Sequence, residues 1–528
     1  MKTRSLAAVA ALAAFGCAAV PAHGQDMDGI GWTIASNSHA TAPPPLFAPA
    51  IPERITTVPE ASCGPGDRPE QGLQGEVPWT DPGFVTDGYR CNLELVGKLP
   101  GDGANIQFAW YGNCAYMSTL YSERDPEYAS RKGTVVIDAS DPRRPRETAR
   151  LQTPAMVSPH ESLKVNQRRG LLGADEGAPT PTTVNTNAVY PTSPGPHVDV
   201  YDVRSDCRHP KLLSSIALPH GTGHEGDFAP DGRTYYVSTI MNPPDPAIVP
   251  IDLDDPTRAR PMLEWPTPSP LRTTAGFHGL TVSPDGNTGY FMAQGGPDNG
   301  LAIVDLSDLQ ARRAHPQIRL LSHVSWSDSD ISQVGVQARI GGRPYIITSD
   351  EMGAAGGIPY SACQAGQPPF GFARVIDVSE ITHPRVVSKL PLQVDDPANC
   401  AIVLSEHAAA TSLTYSSHYC AVDDADDATA LACSWIGSGV RVFDIRDPRR
   451  PREIAYYNPP PNPAAVRGDA IKPAIVPRLE QDVTTSNICW KRAQDGIWTL
   501  WFQSMQNGFQ VIRFTGGAYP LERRKTHA

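Results

Sequence analysis

The chain has 528 residues, 45 basic and 56 acidic, with a net charge of −11 when histidine is neutral. That balance argues against a nucleic-acid partner. Proline accounts for 53 residues, twice the usual ~5%, which suits short strands separated by many turns and disfavours long helices.

Taken in chain order, Lys2 and Arg4 precede an apolar run at Leu6–Val20 and a small-residue site ending at Gly24. This is the pattern of a secretory signal peptide over residues 1–24, and it predicts a periplasmic or secreted protein. No later run is long enough for a transmembrane segment. Residues 25–90 are Pro-rich and poorly periodic, and are expected to wrap the following domain as an extension. Beyond the leader, proximity in sequence pairs Cys63 with Cys91 and Cys363 with Cys400, and one hairpin would join Cys420 to Cys433. Cys114, Cys207 and Cys489 remain, so at least one thiol is expected to be free.

From residue 91 onward one phrase recurs. “VVIDASDPRRPRETARL” (135–151) reads as strand, turn, strand, and “VRVFDIRDPRRPREIAYY” repeats its turn letter for letter. Similar phrases are “VDVYDVRSDCRHPKLLSSIAL”, “AIVPIDLDDPTRARPMLEW”, “LAIVDLSDLQARRAHPQIRLL” and “ARVIDVSEITHPRVVSKL”. Alternating β-branched residues make the strands, and Asp with Pro makes the turn. Such repetition predicts an all-β fold, a seven-bladed β-propeller of four-stranded antiparallel blades over residues 91–515. “FQVIRF” (509–514) lacks a partner after it and “CNLELVGKLP” (91–100) lacks one before it. Joined, they complete the last blade, so the N-terminal strand closes the ring. A polar tail follows at 516–528.

The “VIDVS” phrases resemble the LVIVD repeat of bacterial β-propellers, and “HGLTVSPDGNTGYF” (278–291) is similar to repeats of the YVTN type. The resemblance spans about 91–515 and implies architecture, not activity.

Candidate site residues come from the innermost strands. “HESLKVNQRRG”, “HEGDFAPDGRT” and “HGLTVSPDGNT” align without gaps from His160, His224 and His278, and His418 in “YSSHYCAV” starts a later blade one position out of step. Innermost strands line a propeller's channel, so these four histidines are the expected metal ligands. Glu161 and Glu225 follow two of them and are expected to act as acid–base or supporting groups. His220, Asp175, Asp350 and Glu351 are additional candidates on the same face. Two long insertions, 177–196 and 353–372, rise there as well. His209, His315 and His383 precede prolines in the outer turns and read as scaffold.

Imidazoles ringed by carboxylates suit a divalent transition metal, copper or iron. Carotenoid-cleaving oxygenases and selenium-binding-type methanethiol oxidases offer an analogy, histidines meeting at a propeller axis, although their diagnostic motifs are missing here. The expected function is a copper- or iron-dependent oxidoreductase acting on a small molecule. Its alternatives are a metal-assisted lyase or hydrolase, and a non-catalytic propeller binding an envelope protein or polymer. No Walker loop, G-x-S-x-G elbow or H-E-x-x-H occurs, and no nucleotide cofactor is expected.

Overall fold

The computed structural model describes residues 55–78, 81–101, 106–118, 133–157, 159, 161–175, 197–218, 223–239, 247–273, 276–406, 413–462, 464 and 482–521. Seven antiparallel sheets follow one another along the chain and form a β-propeller. Their innermost strands are Phe108–Tyr111, Lys164–Asn166, Gly223–Phe228, Phe277–Val282, Ser329–Ile340, Ser417–Val422 and Cys489–Arg492, which number the blades 1 to 7. Blade 7 takes its outermost strand from Leu93–Leu99, paired in order from Leu93 with Phe514 to Leu99 with Phe509. The expected closure is therefore observed. Blade 6 carries a fifth strand, Tyr89–Cys91, on its outer edge.

The sequence builds this ring because both faces of each sheet are buried. Side chains alternate across a strand, so Val136 packs towards blade 2 while Val135 and Ile137 pack towards blade 7. Each of the seven seams has its own apolar cluster, including Trp501, Phe509 and Phe108 where blade 7 meets blade 1. A fully buried aliphatic or aromatic side chain contributes roughly 1.5–3 kcal/mol, so seam by seam the blades hold one another.

The repeated turn has a common chemistry. In blades 1 to 6 the third strand ends on an aspartate: Asp138, Asp202, Asp252, Asp305, Asp377 and Asp444. Each accepts the backbone N–H two residues later at 2.8–3.1 Å. Arginines of the fourth strand reach back to four of them, Arg146 to Asp138, Arg260 to Asp252, Arg319 to Asp305 and Arg452 to Asp444. His209, His315 and His383 are exposed in these turns, away from the axis.

Residues 55–78 and 81–90 pack on the seam between blades 5 and 6 through Val58, Val77 and Phe84. Fully buried Arg441 of blade 6 bonds Glu70 of this segment and its own Glu453. Disulfides join Cys63–Cys91, Cys363–Cys400 and Cys420–Cys433, and Cys114 pairs with Cys207, leaving Cys489 as a buried thiol. Four disulfides fit an extracellular or periplasmic protein. Among the described residues no helix is long and apolar enough to cross a membrane.

Candidate metal centre

The inner strands of blades 3 to 6 share an irregularity at one place. Pairing jumps between Gly223 and Gly226, Phe277 and Leu280, Ser332 and Gly335, and Ser417 and Cys420. Two residues thus oppose one, a β-bulge that bends the strand and re-aims a side chain. The first bulged residues are His224, His278, Gln333 and His418. His418 is therefore in step with His224 and His278, not displaced from them.

Blade 2 corrects the gapless alignment by one residue. Its innermost hairpin closes at Asn166 opposite Leu171, as blade 3 closes at Ala229 opposite Thr234 and blade 4 at Ser283 opposite Thr288. Counting back equally from these closures reaches Glu161, His224 and His278. Glu161, rather than His160, shares the register. His160 and His220 lie outside the described residues.

The five in-register side chains and Glu351, from the second strand of blade 5, converge. None is more than 4% exposed. His224 Nε2 lies 3.0 Å from His278 Nε2 and 3.1 Å from Glu161 Oε2. Glu161 also approaches His278 Nε2 at 3.6 Å and His418 Nε2 at 3.0 Å. Glu351 meets the same two imidazoles, at 3.5 Å and 3.3 Å. The donors form two overlapping triads that share Glu161: Glu161, His224 and His278; and Glu161, Glu351 and His418.

Two imidazoles are oriented from behind. His278 Nδ1 faces Glu225 Oε2 at 3.4 Å, and His418 Nδ1 faces the Thr485 carbonyl at 2.5 Å. A ring that donates from Nδ1 keeps its Nε2 lone pair free for a metal. Glu225 is in turn paired with buried Lys164 at 2.6 Å, whose ammonium lies 5.1 Å from the Tyr419 ring. Burial disfavours that ammonium, yet Glu225 outweighs it and raises the Lys164 pKa. Glu225 thus supports His278 and does not face the shared space.

Second-strand serines fix the inner backbone. Ser238 donates to the carbonyl of His278, Ser349 to that of His418, and Ser434 to that of Ser486 in blade 7. The first two clasps lock the bulge of the next blade, and the third holds the entry to blade 7. Nor do Asp175 and Asp350 belong to the donor triads. Asp175 accepts from the Tyr235 hydroxyl at 3.1 Å, and Asp350 is engaged by Ser329, Ser332, Trp326 and Arg374.

The donor set fits a metal ion. Bonds of about 2.1 Å place neighbouring octahedral donors about 3.0 Å apart and tetrahedral ones about 3.4 Å apart, and the contacts above run from 3.0 to 3.6 Å. Two carboxylates and three neutral imidazoles sum to two negative charges, which one divalent ion neutralises. Without it, protons must do so. Burial opposes charge on His418, but Glu161 and Glu351 outweigh it and hold its pKa up at about 10. His278 is raised as well, against its burial, by Glu225, Glu161 and Glu351.

Solved structures resemble the chain at low identity. A functionally unknown protein from Desulfotomaculum acetoxidans is 12% identical, with a TM-score of 0.41 over 67% of this chain and 84% of its own. The periplasmic gluconolactonase of Pseudomonas aeruginosa is 11% identical, with a TM-score of 0.44 over 75% and 93%. The β-propeller domain of Myceliophteria thermophila Cps50 is 11% identical, with a TM-score of 0.46 over 80% and 100%. No protein-family model and no curated protein matches the sequence, so the likeness to LVIVD and YVTN propellers is one of architecture.

Proposed function

We propose that the protein is an exported metal-dependent oxidoreductase whose axial cluster holds one divalent transition ion. His224, His278 and His418 would bind it through Nε2, and Glu161 and Glu351 through their carboxylates, whose Oε2 atoms lie towards His278 and whose Oε1 atoms lie towards His418. The observation that carries this reading is the backing of His278 and His418, whose Nδ1 atoms face Glu225 and Thr485. Histidines kept only for packing do not need their inner nitrogens turned towards two shared carboxylates.

Copper and iron both suit the mixed imidazole and carboxylate donors. Such an ion supplies one-electron chemistry and Lewis acidity at its open position. The chain's own groups do the rest. Burial keeps bulk water out, Glu225 with Lys164 orients His278, and the Thr485 carbonyl fixes the His418 tautomer. A small-molecule substrate would meet the ion at the channel mouth.

Metal analysis of protein purified from its native compartment tests this. We expect about one redox-active ion per chain, retained through dialysis. One zinc ion instead would favour the lyase or hydrolase alternative at the same residues. Less than about 0.2 ion of any metal per chain, unchanged after reconstitution, removes the reading and leaves a non-catalytic binding propeller (native ligand sets hold metal tightly).

A further inference from the structure

Five consecutive blades send a polar side chain to the axis, and one of the five cannot ionise. We infer that Gln333 binds the exogenous ligand of the metal, its carboxamide donating a hydrogen bond to a small oxygen- or nitrogen-donor molecule at the open position. The inference rests on the metal centre proposed above and names a residue that this proposal does not use.

Gln333 takes the bulge position that imidazoles take in blades 3, 4 and 6. Its Nε2 lies 2.9 Å from His418 Nε2 and 3.1 Å from Glu161 Oε2. Thr485 receives the hydrogen of His418 Nδ1, so in the neutral ring that metal binding requires, the lone pair lies on Nε2. Glu161 is an acceptor too. Glu161 therefore assigns the Gln333 amide group, not its carbonyl, to the donor space, and a neutral His418 agrees. Once an ion takes the lone pair of His418 Nε2, that amide hydrogen loses its acceptor on the imidazole. The next acceptor within reach is a molecule bound to the ion.

Two further features fit a residue held for a purpose. Gln333 Oε1 is buried without a hydrogen-bond partner, so a protic ligand could be met by an acceptor as well as a donor. Ile331, two residues before, has a φ of 52°. A β-branched residue there is strained and persists only because its surroundings impose it. Carboxamide is also a poor ligand beside imidazole and carboxylate, which favours a hydrogen-bonding role over ligation.

The test uses the full chain reconstituted with Co(II) and titrated with azide, followed by the visible Co(II) bands. Wild type is compared with Gln333→Met, which keeps the side-chain length without a donor. We expect both to bind one Co(II) with affinities within about threefold, and azide to bind the variant about tenfold or more weakly, as for a lost hydrogen bond to a charged group. Equal azide affinity would overturn the inference. So would loss of Co(II) from a variant with an unchanged circular dichroism spectrum, since Gln333 would then be a ligand. If the Met variant does not fold, Gln333→Asn, which withdraws the amide by one methylene, is read in the same way. Failure of wild type to bind Co(II) would instead remove the metal centre itself, an outcome distinct from the other two.

Discussion

Gly279 shows how little freedom the centre leaves a single residue. It follows His278, and a Cβ placed on it would lie 2.7 Å from Glu225 Oε2 and 2.5 Å from the Gln333 carbonyl oxygen. Gly279→Ala must push Glu225 away from His278, because the carbonyl is backbone and cannot yield. We expect the alanine variant to fold with reduced stability and to bind metal about 10–100-fold more weakly, the effect typical of losing a ligand's outer partner. Glu225→Gln should weaken binding over a similar range and also lower stability, because the amide leaves the buried Lys164 ammonium without its charge partner. Isothermal titration with Co(II) beside thermal melts separates affinity from stability. An unchanged affinity in both variants would deny Glu225 its orienting role.

At the scale of the element, the Asp-led turn is the unit on which the scaffold depends. The Ser140 hydroxyl in particular, against the cost of burial, holds the Asp138 carboxyl down to about 2. Burial works against the charge in Asp202, Asp377 and Asp444, and the turn's hydrogen bonds outweigh it. A depressed folded pKa stabilises the fold above the unfolded value, about 3.9 for aspartate, and that contribution disappears as pH falls towards 2. The gap in stability between wild type and Asp138→Asn should be full above about pH 5, on the order of 2 kcal/mol for a shift of this size, and should close by about pH 2. Urea melts along a pH series measure it; a constant gap would mean that the carboxylate's charge plays no part. These turns were legible in the sequence because Asp, Pro and alternating β-branched residues act locally. The bulges were not, since an extra residue leaves no mark in the letters. “HES” set against “HEG” therefore matched His160 to His224, while the hairpins match Glu161. Glu351 stood among the additional candidates, but Gln333 escaped notice because blade 5 offers no histidine to draw the eye. The serines in “YVSTI”, “IITSD” and “ACSWI”, each opposite or beside a bulge, were the available signal.

The whole molecule is a ring, and a ring can fail at one seam. Two seams depend on the strand Leu93–Leu99: it covers the edge of Gly508–Phe514, Leu93 packs with blade 6 residues such as Val442, and Leu99 packs beside the blade 1 cluster. The outermost strand of blade 3 is only Arg260–Pro261, with two paired residues and an exposed surface. If closure is what stabilises the wheel, equal treatment of these strands should have unequal effects. Replacing 93–99 by a Gly/Ser linker of the same length leaves the chain connected but opens the seventh blade to solvent and to other chains. We expect that variant to lose the single cooperative melt of the wild type, to associate on size-exclusion chromatography, and to lose metal although every ligand is intact. Replacing Arg260–Pro261 by Gly-Gly should keep the melt cooperative with a modest loss of stability. Adding a synthetic peptide of residues 91–100 to the opened variant should restore part of the melt, because an unpaired edge accepts a strand. Similar behaviour of the two variants would mean that the blades stand independently, and the axial centre could not then depend on the closing strand.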